Sequence, residues 1–274
     1  MQATKATRRI TAFLDGEDRP DISNPIHSTE VAHEYGFKAA LVGGVTVYGW
    51  TVPAILEALG EEWLKNGWAD VTFRRPVYPG DEMTATVEQT ADGWALTMAN
   101  QDGDACIAGY VGLGTAPFLP GLAMPDRTYA EPRGRNLPPL TLEDAPVGED
   151  LRPMAVPLSL DDAAEYINTK QLDDHPRWFG EQGRMHPGWL AARMTPLIHH
   201  SYEYGPAIHT RTQAQHLASA IAGQTITVAG HFLDAYERKG HHYGVVDGAI
   251  LAEDGTLQAR IRHTTIFHVA KREG

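Results

Sequence analysis

The sequence predicts an α+β protein made of two like halves, each a central helix wrapped by its own antiparallel sheet. Three observations carry this. A proline-rich stretch divides the 274 residues near the middle. Each half opens with a glycine-marked, apolar helical segment. Each then changes to a period of two, broken by turn signals, which is the pattern of antiparallel strands.

Eight of the 18 prolines fall between Pro117 and Pro153. Proline fixes φ and lacks a backbone donor, so this stretch reads as an extended linker. The expected division is a first half at 1–116, a linker at 117–153 and a second half at 154–274. In the first half a loop at Pro20–His27 precedes Leu41-Val42-Gly43-Gly44. A buried helix is expected from Val45 to Leu59, kinked or restarting at Pro53 and ended by Gly60 or extended to Asn66-Gly67. Strands are expected at Asp70–Val77, Met83–Gln89, Trp94–Ala99 and Ala105–Leu113. Pro79-Gly80-Asp81, Asp92-Gly93 and Asp102-Gly103 supply the turns between them. In the second half a loop near Asp173–Phe179 precedes His186-Pro187-Gly188 and a helix over Trp189–His199. Strand-like runs follow at Ile208–Leu217, Thr225–Tyr236, His242–Leu251 and Leu257–His268. A sheet with one apolar face must cover it, and the adjacent helix is the nearest cover. Two such units joined edge to edge would form one long sheet.

Composition narrows the function. The 23 Lys and Arg against 35 Asp and Glu give a net charge of −12, which disfavours nucleic acid and anionic membrane as partners. The single cysteine, Cys106, excludes an intrachain disulfide and any zinc site with two cysteines, and it fits a reducing cytoplasm. No apolar run reaches the ~18 residues of a membrane helix, and Met1–Asp15 has no signal-peptide core. No phosphate loop, dinucleotide fingerprint or Gly-x-Ser-x-Gly elbow is present.

Residues 24–81 carry a resemblance. Asn24-Pro25-Ile26-His27, Gly36-Phe37, Leu41-Val42-Gly43-Gly44, Phe73-Arg74-Arg75-Pro76-Val77 and Pro79-Gly80-Asp81 resemble, in order and spacing, the MaoC-like R-specific enoyl-CoA hydratase family. The second half is similar more loosely. The resemblance implies a double hot-dog fold. It also implies a hydro-lyase that adds water to a small-molecule enoyl thioester, or removes it in reverse. Coenzyme A or a carrier protein would bear the acyl group as substrate, and no cofactor is needed.

The chain departs from the family's catalytic loop, Gly-Asp-x-Asn-Pro-x-His. Ile22 stands at its aspartate position, with Asp21 one residue away. In the second half Asp173 matches that aspartate, but Trp178 stands where the histidine belongs. Hydration needs a base for water and a proton donor for the α-carbon, and a carboxylate and a histidine can serve both ends. The resemblance therefore marks His27 with Asp21, and Asp173 with His186, as candidate catalytic residues. Asn24 would hold the loop beside the substrate. Gly43, Gly44 and Gly188 would present a helix N-terminus to the thioester oxygen. His209 and Tyr243 would line the pocket. Plainer readings compete: loop capping for Asn24 and His27, a solvated loop for Asp173-Asp174, core packing for His209 and Tyr243.

No metal site is expected. Adjacent histidines on a strand, such as His241-His242, point to opposite faces, and His209 and His216, seven apart, also face opposite sides of a regular strand. Arg74-Arg75 near Lys65, and Arg238-Lys239, would meet coenzyme A phosphates or remain solvated strand ends. The rival functions are a thioesterase on the same fold and an acyl-binding or assembly protein without catalysis. Unpaired sheet edges favour a homodimer.

Overall fold

A computed structural model of the chain describes residues 4–271. Two copies of one plan follow each other. The first has strand β1 (Lys5–Thr11), helices α1 (Thr29–Glu34), α2 (Gly44–Gly49), α3 (Val52–Leu59) and α4 (Trp63–Asn66), and strands β2 (Gly67–Phe73), β3 (Glu82–Thr90), β4 (Gly93–Ala99) and β5 (Ala105–Leu113). After β6 (Glu149–Asp150) the second copy has β7 (Met154–Leu158), α5 (Leu160–Tyr166), α6 (Pro187–Ala191) and α7 (Met194–Ser201). It ends with β8 (Ile208–His216), β9 (Gln224–Arg238), β10 (His241–Leu251) and β11 (Leu257–His268).

The strands form one sheet ordered β1-β3-β4-β5-β2-β8-β11-β10-β9-β6, with β7 also on β9. Read outward from the centre, both halves have the same order. The fold is a double hot-dog, and its seam is the antiparallel pair β2–β8, from Trp68 opposite Gln215 to Thr72 opposite Arg211. Buried Gln215 stitches this seam. Its Nε2 donates to the Gly67 and Gly114 carbonyls, each at 3.2 Å, and its Oε1 accepts from Ala116 N–H at 2.7 Å. Arg211 grips Asp70 across the seam with two bonds, at 2.9 and 2.8 Å.

Both central helices break and restart, the first beside Pro53. The expected helix from Val45 to Leu59 is α2 and α3, separated at Trp50-Thr51. Pro53, which has no N–H to donate, lies in the first turn of α3, where none is needed. Gly60 at φ 78° ends α3, since the left-handed region suits glycine. In the second half the break falls at Ala192-Arg193, and Pro196 stands in the first turn of α7.

The two helix systems meet at glycines. A Cβ on Gly188 would lie 3.1 Å from the Gly49 Cα and 3.1 Å from the Val45 carbonyl oxygen. One on Gly49 would lie 2.2 Å from Oε1 of Gln171. Around this crossing lie two cores, one built on Trp63, Ile55 and Val71, the other on Leu197, Phe232 and Ile250. Each such fully buried side chain contributes roughly 1.5–3 kcal/mol relative to exposure.

Strand β1 escaped the sequence reading because Lys5, Arg8 and Arg9 mask an edge strand that buries only Ala6. The short strand β7 escaped for a related reason, since its Pro157 reads as a strand breaker. The proline-rich stretch is pinned, not free. Buried Asp247 accepts from Ala123 N–H at 2.7 Å and is paired with Arg262, which also donates to the Gly121 carbonyl at 2.7 Å. Buried Arg260 donates to the Leu122 and Ala123 carbonyls. The stretch thus straps the face of the second-half sheet that α6 and α7 leave open.

Candidate active site

A cavity of about 750 Å³ opens between the halves. The first half contributes the Asn24–His27 turn, Leu41–Val45 and the end of β2. The second half contributes Lys170, Ala207–Thr210 and Thr265-Ile266. The inner wall is mostly apolar, with Ile26, Leu41, Val47, Phe73, Ile107 and Ile266. Arg74, Arg75, Lys170, Lys239 and Lys271 also border it, a local excess of cations in an acidic protein.

His27 lies in this wall at the end of a single 3₁₀ turn, Pro25–His27. Its Nδ1 is 2.7 Å from the Leu41 carbonyl oxygen, and its Nε2 is 3.2 Å from the Asn24 amide nitrogen. A carbonyl can only accept and an amide NH2 can only donate, so Nδ1 carries the proton and the Nε2 lone pair accepts from Asn24. Asn24 in turn is fixed from the other half: its amide donates to the Ala207 carbonyl at 2.9 Å, and its oxygen accepts from Ala207 N–H at 3.0 Å. Asn24 therefore holds the loop, across the interface, and sets which face of the imidazole is basic.

Of the other expected residues, Gly43, Gly44 and His209 also line the cavity. Asp21 does not. It is exposed and paired with Arg19 at 2.6 Å, which holds its carboxyl below the usual range. Ile22, at the family's aspartate position, does face the cavity. The carboxylate there is instead Asp15, which the sequence did not single out. It lies in no motif, in the loop that follows β1. Asp15 Oδ1 accepts from Gly43 N–H at 3.3 Å, its Oδ2 accepts from the Thr46 hydroxyl, and its backbone oxygen accepts from Lys170 Nζ. It caps α2, so the Gly43 N–H is already taken. Gly44 is glycine for packing, since a Cβ would stand 3.2 Å from the Phe73 ring.

His209 is buried against Phe73 at 4.5 Å and His263 at 4.2 Å between ring centroids. Burial pulls its pKa down to about 4. The expectation that His209 and His216 face opposite ways fails because β8 bulges: Thr264 pairs with Arg211 and Thr265 with His209, leaving Thr210 over. The extra residue restores the parity, so His209 reaches the Thr212 hydroxyl at 2.7 Å on its own face. His216 packs on Trp63 at 4.8 Å at the other end of the strand. Among the described residues no three His, Cys, Asp or Glu converge to hold a metal ion.

The second-half constellation is closed. Trp178 is buried, 1% exposed, and its indole N–H donates to Asp173 Oδ2 at 2.7 Å. Asp173 Oδ1 accepts from His175 N–H at 3.2 Å. His186, 2% exposed, lies 4.7 Å from the Trp178 ring and caps α6 by accepting from Gly188 N–H at 3.1 Å. Burial lowers its pKa to about 3. Tyr166 OH sits 2.9 Å from where a Gly188 Cβ would be. Asp173, His186 and Gly188 therefore do not reach the cavity: an indole fills the position a substrate would need. Tyr243 also lies away from it, stacked on Tyr236 at 5.0 Å.

No family model matches the chain, and no curated protein matches it. Its likeness is to solved structures of the double hot-dog class. One is a MaoC-like dehydratase, with TM-score 0.62 and 16% identity, covering 96% of this chain and 98% of that one. Another is a conserved protein of Mycobacterium tuberculosis described as having a double hot-dog fold, with TM-score 0.62 and 12% identity, covering 91% and 87%. These likenesses place the fold. No helix of the described residues is long and apolar enough to cross a membrane.

Proposed function

We propose that this chain hydrates an enoyl thioester, or dehydrates the 3-hydroxyacyl thioester in reverse, at one site between its halves. The observation that carries the reading is the open cavity. Its apolar wall suits an acyl chain, its cations suit a phosphate-bearing carrier, and His27 on its wall has an unprotonated Nε2 that a water would reach by displacing the Asn24 amide. In the hydration direction, His27 Nε2 takes a proton from water as the water oxygen bonds to C3. The C2–C3 π electrons move toward the thioester oxygen. The imidazolium then returns its proton to C2, so the histidine ends as it began.

The test is loss of conjugated-thioester absorbance with crotonyl-CoA and longer enoyl-CoA substrates. Turnover that disappears in His27→Ala supports the reading, and no turnover on any enoyl thioester defeats it. Ile22 at the family's carboxylate position and Trp178 in the second half favour a second reading, an acyl-binding protein without catalysis. That reading predicts calorimetric binding of acyl-CoA by a chain that turns over no enoyl-CoA. Release of free thiol from saturated acyl-CoA would instead mark a thioesterase.

A further inference from the structure

We infer that the outward face of the first-half sheet, turned away from the central helices, is an interface between two copies of this chain. The inference does not depend on the hydratase reading. The two halves differ on this face. In the second half the proline-rich strap covers it: the Gly121 carbonyl accepts from Arg262, Ala123 N–H donates to Asp247, and Arg127 N–H donates to Asp150 at 2.8 Å. The strap touches the first half at its seam, where Phe118 packs edge-on against Trp68 with ring centroids 6.2 Å apart. Beyond that point no element of the described residues packs on this side of β5, β4, β3 and β1, and Tyr110 there is 43% exposed.

Strand register fixes what the bare face presents. One row crosses the five strands from Thr7 through Thr86, Thr97 and Ala108 to Thr72. Short side chains make such a row flat, so a second sheet can approach to about 10 Å. Tyr110, in the next row beside Ala95, rises above it as an aromatic anchor. The charges of this face lie around its rim. Lys5 meets Glu88 at 3.2 Å, Arg9 stands diagonal to Glu82, and Asp70 is gripped by Arg211 at the seam.

A second copy is the occupant that these features fit. The chain carries a net charge of −12, so two copies repel over most of their surface. This face instead sets the three cations Lys5, Arg9 and Arg211 against the three carboxylates Glu82, Glu88 and Asp70. Both signs lie at the rim of an uncharged centre, so a two-fold partner can set each sign against the other without burying an unpaired charge. Five strands about 4.8 Å apart, with seven residues of about 3.3 Å each, give a face of roughly 550 Å². Two copies would cover about 1,100 Å², just above the ~1,000 Å² that a specific interface needs. Edge-to-edge pairing, the expectation from sequence, is blunted. The β1 edge carries Lys5, Arg8 and Arg9, and edge strand β7 holds Pro157, which has no N–H to donate.

The test is analytical sedimentation of the full chain over about a hundredfold range of concentration. Wild type should sediment as a dimer, twice the 30.0 kDa of one chain, and dissociate on dilution. Thr97→Arg puts a guanidinium on the middle strand of the face, where a partner sheet would leave it unpaired. It should weaken the dimer about 100-fold or more while the far-UV spectrum stays that of wild type. Tyr129→Arg, on the strap and 89% exposed, should leave the dimer intact. Hydroxyl-radical footprinting of wild type needs no variant to fold. Tyr110 should become protected as concentration rises, while Tyr129 stays reactive. A wild-type monomer at every concentration overturns the inference. So does a dimer in which Tyr110 reacts as freely as it does in dilute chain. A dimer that a folded Thr97→Arg leaves intact, or that Tyr129→Arg dissolves, overturns it too. If Thr97→Arg does not fold, the footprint at Tyr110 decides alone. Turnover on enoyl thioesters, present or absent, has no bearing on these outcomes.

Discussion

The two halves share one plan and differ in what fills the space beside the central helix. In the first half, the turn at His27 ends in a small imidazole and leaves a cavity. In the second, the matching turn ends in Trp178, whose ring occupies that space and whose N–H takes the Asp173 carboxylate. A histidine offers a lone pair at neutral pH, whereas an indole can only donate. Where the first half sets an imidazole on a cavity wall, the second has a packed core with a satisfied polar contact. The lesson is that a duplicated fold does not imply duplicated sites.

That contrast can be broken most sharply by kinetics. His27→Ala should cost about 10²–10⁴ in kcat, the range for a general acid–base group, while Asp173→Asn leaves kcat near wild type. Equal losses in both variants would mean the second half contributes to the chemistry after all. Trp178→Ala should lower stability by about 3–5 kcal/mol, read from urea midpoints, because it empties a filled core position and strips Asp173 of its donor. Gly188→Ala is expected to cost about 1–3 kcal/mol, by forcing Tyr166 and the Gly49 crossing apart. If it melts like wild type but loses activity, Gly188 belongs to a site rather than to packing.

A further effect is graded with pH. His186 and His216 are buried neutral, with pKa values near 3 and 4, and His209 lies near 4. Each folded value lies below the unfolded ~6.5, so the unfolded chain binds the extra proton first. Their stabilising effect is complete above pH ~6.5 and lost as the pH falls toward 4, with a slope of up to ~1.4 kcal/mol per pH unit per histidine. Urea midpoints that stay flat between pH 7 and 5 would show that these rings are not buried in solution. Replacing His186 by Asn, which can keep the α6 cap, should remove its share of the slope.

The residues themselves fixed much of this. Asp-Gly turns, alternating strands and two glycine-marked helices made the repeated plan legible, because local patterning reports burial directly. The Asn24–His27 turn was legible as a site for the same reason: its residues lie next to one another in the chain. Position 22 and Trp178 could be seen as departures, but not what replaced them. Asp15 belongs to no pattern and lies in the loop that follows β1, a strand whose charges hide its period. The facing of His209 was misjudged because one bulged residue reverses strand parity. Whether Gly43, Gly44 and Gly188 met a ligand or a neighbouring side chain depended on what packs against them.

By itself, then, the sequence determined two hot-dog units and the first-half turn that carries a basic histidine. Only the tertiary structure decided which of two matching loops stays open and that Asp15 lines the cavity. Periodicity is a property of neighbours along the chain. Cavities and charge pairs are made by residues far apart in it, whose meeting depends on how the whole sheet closes around its helices.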